Sequence, residues 1–184
     1  MIGELNIYSC YSFQNSTILI KDLCKRAHDL HLEAIALTDI NNMYGAVEFS
    51  NECHKYDIKP IFGMQGNVNV EGEIYPFLLL AKDQVGYHDL MKICSDINLS
   101  DQKAIDLEKL RLYHEHLFIL SGCKEGIVER CVLKELESEA LRYMALFKEM
   151  FKDNYYICLQ DHGIQMQKHL NERLKALAKL QGIK

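Results

Sequence analysis

The feature that most constrains this chain is an alternation. Short apolar runs, each ending on polar residues, are separated by amphipathic stretches of helical period. The runs fall at 5–8, 34–37, 59–62, 117–120 and 155–159. Runs this short suit strands, whereas the longer intervening stretches, with apolar residues three and four apart, suit helices. Strands alternating with helices predict a parallel α/β sheet or barrel. Folds of that class gather functional groups at the carboxyl ends of their strands. Here those ends carry Asn6 and Tyr8, Thr38 and Asp39, Gly63 and Gln65, Ser121 and Cys123, and Asp161 and His162. One polar rim is implied, and any chemistry belongs there.

Between the runs, Ser16 or Thr17 is placed to cap a first helix with an apolar stripe of Leu19, Leu23, Cys24, Ala27 and Leu30. Further helices are expected near 44–56, 87–96, 106–113, 137–151 and 166–180, and residues 67–70 and 74–81 flank Glu71-Gly72-Glu73 as a β-hairpin. The closing helix stops at Gly182, and Ile183-Lys184 reads as the approach to another strand. The expectation is a single domain over 1–184, a fragment lacking its last strands and leaving an unpaired sheet edge.

Composition narrows the function classes. A chain of 184 residues, 48% hydrophobic and 26% charged, is long enough for one well-filled core. A net charge of −5 gives no general electrostatic grip on nucleic acid or anionic membrane. Seven cysteines without a C-x-x-C pair suggest neither a disulfide framework nor a zinc knuckle; most read as small apolar residues in a reducing cytosol. With no signal-peptide pattern and no membrane-length apolar run, the expected location is cytoplasmic, with no membrane partner.

The first run is informative for what it lacks. Read as a half-buried strand, it puts Leu5 and Ile7 on one face and Asn6 and Tyr8 on the other. Histidines at 6 and 8 would make a metal clip, but Asn6 and Tyr8 are poor ligands for a transition metal.

Several further runs match a known family in order and spacing: Tyr11-Ser12, Ala36-Leu37-Thr38-Asp39, Asn42-Met43-Tyr44-Gly45-Ala46-Val47-Glu48-Phe49, Ile58-Lys59-Pro60-Ile61-Phe62-Gly63, Leu79-Leu80-Ala81-Lys82, Leu120-Ser121-Gly122-Cys123 and Leu159-Gln160-Asp161-His162-Gly163. With them the chain resembles the polymerase-and-histidinol-phosphatase (PHP) domains, in the branch found at the N-terminus of the bacterial replicative DNA polymerase III alpha subunit. The resemblance implies a barrel-like parallel βα fold with a metal cluster at the strand ends. The family's His-x-His falls at Asn6 and Tyr8, an Asp at Asn15, a His at Ile40, a Glu at Gln65 and a further His at about Pro76. Cys123 and His162 match family ligands, and the final Asp-x-His strand of the family has no counterpart before Lys184.

The substitutions imply a degenerate cleft without a closed metal site, because Asn and Gln keep the shape of Asp and Glu but not their charge, and Ile40 offers no donor. The expected role is a structural segment of a DNA-directed DNA polymerase, a nucleotidyltransferase of DNA replication. It needs no cofactor of its own, while the parent enzyme uses divalent metal such as Mg. The implied partners are the remainder of the alpha subunit and other replisome proteins, with DNA reached through the parent. No residue here is assigned as catalytic. The alternatives are a metal-dependent phosphoesterase or 3′–5′ exonuclease using a remodelled site, and a free-standing small-molecule phosphatase.

Other candidates have plainer readings. Asp39, Asn41 and Asn42 suit helix capping. His114-Glu115-His116 precedes its strand and so lies opposite the rim, His28 and His31 suit a solvated helix edge, and Tyr155-Tyr156 suits strand packing rather than base stacking.

Overall fold

The structure, a computed structural model, describes residues 3–183. Six strands form one curved, mixed sheet: β1 (Ala34–Leu37), β2 (Lys59–Val70), β3 (Glu73–Ala81), β4 (Ile105–Asp106), β5 (Leu117–Ser121) and β6 (Tyr155–Tyr156). The order is β1-β2-β3-β5-β6, with β4 beside the far end of β2. Pairs β1–β2, β2–β4 and β5–β6 are parallel, and β3 runs antiparallel to both β2 and β5. The antiparallel member comes from the β2–β3 hairpin. Its two-residue loop has positive φ at both Glu71 and Gly72, the geometry that matches strand twist in a tight hairpin.

Helices α1 (Ile20–Asp29), α2 (Ala46–Lys55), α3 (Gln84–Leu99), α4 (Leu107–Arg111), α5 (Ile127–Leu133), α6 (Glu137–Phe151) and α7 (Gln165–Gln181) complete the chain. Helices α1 and α2 bury Ile20, Cys24, Phe49 and Cys53 against Ile35 and Leu37. Leu90, Ile93 and Ile97 of α3, and Met144, Phe147 and Phe151 of α6, recur at helical spacing and fill the largest core. A third, smaller cluster (Ala36, Leu78, Leu80 and Leu120, with Leu5, Phe118 and Tyr156 against it) lies on the other face of the sheet, which curls around it. The sheet stays open. Residues 3–6 and 156–162 face each other across a cleft of about 860 Å³ whose floor is that cluster.

The α/β expectation is met in a mixed rather than wholly parallel sheet, because the β2–β3 hairpin inserts an antiparallel strand, and several local expectations are corrected. Residues 5–8 are extended but form no regular strand. The Ala36 and Thr38 N–H groups donate to the Glu4 and Ile7 carbonyls, with a bend at Leu5 between them. The bend separates the two apolar side chains, so Leu5 joins the inner cluster and Ile7 the α1–α2 core. Helix α1 begins at Ile20 without a side-chain cap. Ser16 instead donates to the Tyr8 carbonyl, and Leu19 and Leu30, expected in the stripe, are exposed. The 155–159 run keeps only two residues in ladder pairing. Helix α5 was not anticipated. Lys184, part of the expected approach to another strand, lies outside the described residues.

Two buried acids shape the framework. Asp39, 1% exposed at the end of β1, accepts hydrogen bonds from Ser9 N–H (2.7 Å), Ser9 Oγ (2.7 Å) and Ser12 Oγ (2.5 Å). It caps no helix; it pins the N-terminal segment to the sheet. Glu129 of α5 is also 1% exposed, and neither carboxyl oxygen has a hydrogen-bond partner. Burial pushes its carboxyl up to about 7.

Both acids give testable outcomes. Asp39→Ala strands three donors and should cost about 3–5 kcal/mol in urea unfolding, while Ser12→Ala should cost about 1–2 kcal/mol. For Glu129, the folded value near 7 exceeds the ordinary 4.5, so folding takes up a proton between those limits. Its contribution is therefore most favourable below about pH 4.5 and is lost as pH rises through 7, by about 3 kcal/mol. Relative to the parent, Glu129→Gln should gain that amount between pH 4.5 and 8 in pH-stepped urea unfolding. A constant difference across the range would refute the assignment.

Candidate functional site

The polar rim forms where the N-terminal segment crosses the ends of β1 and β5. The Thr38 hydroxyl accepts from Ile7 N–H (3.0 Å) and lies 3.2 Å from Asn6 Oδ1, to which it donates. Asn6 Nδ2 in turn donates to Cys123 Sγ at 3.5 Å, joining the first segment to the turn after β5. Beside it the Tyr8 hydroxyl donates to Gln65 Oε1 in a short bond. Burial pushes the Tyr8 phenol above its ordinary value, so it is a neutral donor at physiological pH.

A second sulfur completes the cluster. Cys123 and Cys158 place their Sγ atoms 3.2 Å apart, with the Cys123 thiol as donor. That hydrogen bond holds the Cys158 thiol below its ordinary value and pushes the Cys123 thiol well above its own, and burial raises Cys123 further. The Cys158 amide donates to Ser121 Oγ (2.9 Å), which fixes the start of the 158–162 segment beside the end of β5. Cys123 itself has φ 53°, a left-handed conformation costly for a non-glycine residue. Cys158 was not singled out from the sequence. It lies near the end of the last apolar run, where the side chain facing the rim depended on how far β6 extends.

The other anticipated residues divide. Asn6, Tyr8, Gln65 and Cys123 meet at the rim. Ile40 forms a parallel bridge with Gln65 and gives the rim no donor side chain. Asn15 is exposed and turns back to the Phe13 carbonyl (3.0 Å). Pro76 sits in β3 opposite Asn67. His162 lines the cleft but is exposed, and its backbone N–H donates to Gln167 Oε1 (3.1 Å). Among the described residues, no three His, Cys, Asp or Glu side chains gather as a set able to hold a metal ion.

Capping by Asn41 and Asn42 is also corrected. Helix α2 has no side-chain cap; Asn42 instead accepts from Tyr44 N–H and donates to the Tyr11 and Ile40 carbonyls. Asn41 takes φ 53°, donates its backbone N–H to the Gln65 carbonyl, and leaves a buried side-chain oxygen unpartnered. His114 and His116 bond to the Arg111 carbonyl and to Asp83 respectively. His31 lies beyond the end of α1 rather than on it, and His28 packs its ring against Tyr56. Tyr155 is buried against Phe147, and Tyr156 packs on Phe118 in the cleft wall. No helix among the described residues is long and apolar enough to cross a membrane.

Comparison with known proteins agrees with this architecture. The model of the PHP domain matches residues 4–162. The DNA polymerase III subunit alpha of Borreliella burgdorferi is 32% identical over 194 residues, covering 98% of this chain and 17% of that protein. The corresponding subunit of Treponema pallidum is 33% identical over 198 residues, with the same coverage of each chain. The chain thus spans about a sixth of the length of these curated relatives. An amidohydrolase from Chromobacterium violaceum shares the fold, with a TM-score of 0.61 at 9% identity over 99% of this chain and 84% of that one. The matched span takes in most of the chain, and the chain belongs to the PHP domain family.

Proposed function

We propose that this chain is the PHP segment of a DNA polymerase III alpha subunit, serving as a structural, non-catalytic part of that polymerase. The observation that carries this reading is the way the rim satisfies itself. Asn6 is bonded to Thr38 and Cys123, and Tyr8 to Gln65. These are neutral groups already partnered with one another. A cluster of divalent ions needs several anionic oxygens, thiolates or imidazoles to offset desolvated charge, and the donor set here does not fit one. On this reading, primer extension with divalent metal belongs to other parts of the parent protein. The segment's partners are the remainder of the alpha subunit and other replication proteins, in the cytoplasm, and DNA is reached through the parent.

The test is metal content and nuclease activity together. The chain is expressed with added zinc and manganese, dialysed against metal-free buffer and measured by elemental analysis, and near-zero metal is expected. In the polymerase that carries this segment, a Cys123→Ala and His162→Ala double variant should leave primer extension and any 3′–5′ exonuclease activity within about twofold of wild type. A tightly held ion that the double variant loses, together with a metal-dependent nuclease activity that falls a hundredfold or more, would instead establish a remodelled phosphoesterase site.

A further inference from the structure

We infer that Cys123 and Cys158 form an oxidation site on the rim, closing to a reversible disulfide when the chain meets a low-molecular-weight disulfide such as oxidised glutathione. Three observations bear on it. The two Sγ atoms are 3.2 Å apart, so bond formation requires an approach of only about 1 Å to reach the ordinary S–S length. The two residues follow adjacent parallel strands, β5 and β6, paired Ile119↔Tyr155 and Leu120↔Tyr156. Each cysteine lies two residues beyond the end of its strand, so the pairing of β5 and β6 brings the two turns side by side. Cys158 also lines the open cleft of about 860 Å³, so a small disulfide has a path to its sulfur.

The second thiol pair in the chain supplies an internal control. Cys24 and Cys53 also touch, at 3.6 Å, but both are 0% exposed between α1 and α2. Contact without access leaves that pair inert to a soluble oxidant while the chain stays folded. Cys123 and Cys158 are only partly buried, and Cys158 borders the cleft.

The exchange balances. The Cys158 thiolate attacks one sulfur of glutathione disulfide, forming a mixed disulfide and releasing one glutathione thiolate. Cys123, having given its proton to solvent, displaces the second glutathione and forms the Cys123–Cys158 bond. Two protein thiols are oxidised and one glutathione disulfide is reduced to two thiols. In a reducing cytosol such a link is transient and responds to oxidant. The inference does not depend on the rim lacking metal, because the experiment is run after chelator treatment.

The experiment equilibrates the chelator-treated chain in glutathione buffers of increasing oxidised fraction, quenches with acid, alkylates free thiols and maps peptides by mass spectrometry. The expected result is a cross-linked peptide pair joining 123 to 158 that dithiothreitol reverses, with Cys24 and Cys53 still reduced. Cys123→Ser should instead leave glutathione attached at Cys158. Cys10 is a free, exposed thiol and reports that the oxidant has reached the chain. A native wild-type chain in which 123 and 158 stay unlinked while Cys10 becomes glutathionylated would overturn the inference. So would a 123–158 link that appears only after unfolding in urea. The wild-type map decides the matter even where a serine variant fails to fold.

Discussion

The Asp39 carboxylate is the interaction on which the arrangement of this domain depends. A buried carboxylate is tolerated only when its charge is met by good donors, and here three converge from a single turn at Ser9 and Ser12. Those donors come from an irregular segment, because a regular strand would point Ser9 and its neighbours alternately to opposite faces. The polar demand of one buried acid therefore takes precedence over the strand tendency of residues 5–8. It also fixes where that segment lies. With Ser9 and Ser12 held against the end of β1, Thr38 and Asn6 come into register and Asn6 reaches Cys123 on β5's side of the sheet. A single anchor thus joins the first segment of the chain to the far side of the curved sheet.

The same geometry explains why a neutral rim is stable. The floor of the cleft is apolar, built from Leu78, Leu80, Phe118 and Leu120, so any charge above it is partly desolvated. Two carboxylates facing each other across positions 65 and 6 or 8 would need a cation or a shared proton between them. Gln65 and Tyr8 remove that need by donating and accepting between themselves. Each neutral pair is modest in energy, yet none leaves a charge to be compensated by an ion. The rim is a closed set of hydrogen bonds set over a hydrophobic floor.

Much of this was legible in the sequence, and what was not has identifiable physical causes. Helix α6 fell where its periodicity placed it, at residues 137–151, and the Glu71-Gly72 turn gave the hairpin. The convergence of Asn6, Tyr8, Gln65 and Cys123 was expected from strand ends sharing one direction. Residues 5–8 form no regular strand, however, and Gln65 lies inside β2, which runs on to Val70, so only Cys123 follows a strand end. The family resemblance indicated which positions to compare. Helix α5 was missed because its seven residues, Ile127–Leu133, follow a glycine-flanked turn and are too short to build a periodic signal. Asp39 was misread as a cap because Asp before a helix is locally favoured at that place, and only tertiary contacts with residues 27 and 30 positions away reveal its burial. Cys158 was hidden because pairing of β6 ends at Tyr156, after which alternation no longer indicates which side chains face inward.

Two thiol pairs in one small domain separate contact from reactivity. Cys24 with Cys53, and Cys123 with Cys158, are both sulfur–sulfur contacts between residues far apart in sequence. The first pair packs inside an apolar core, where sulfur serves as a small polarizable filler. The second lies where the sheet fails to close, beside groups that hydrogen-bond the sulfur and a cleft that admits solvent. A thiolate must be reached and must be solvated or hydrogen-bonded to react, so proximity alone leaves the core pair silent. The open edge of the sheet therefore decides which cysteines have chemistry, through access rather than through any difference in the residues themselves. Fully burying Cys158 beneath an additional strand would make the rim pair as inert as the core pair without moving either sulfur.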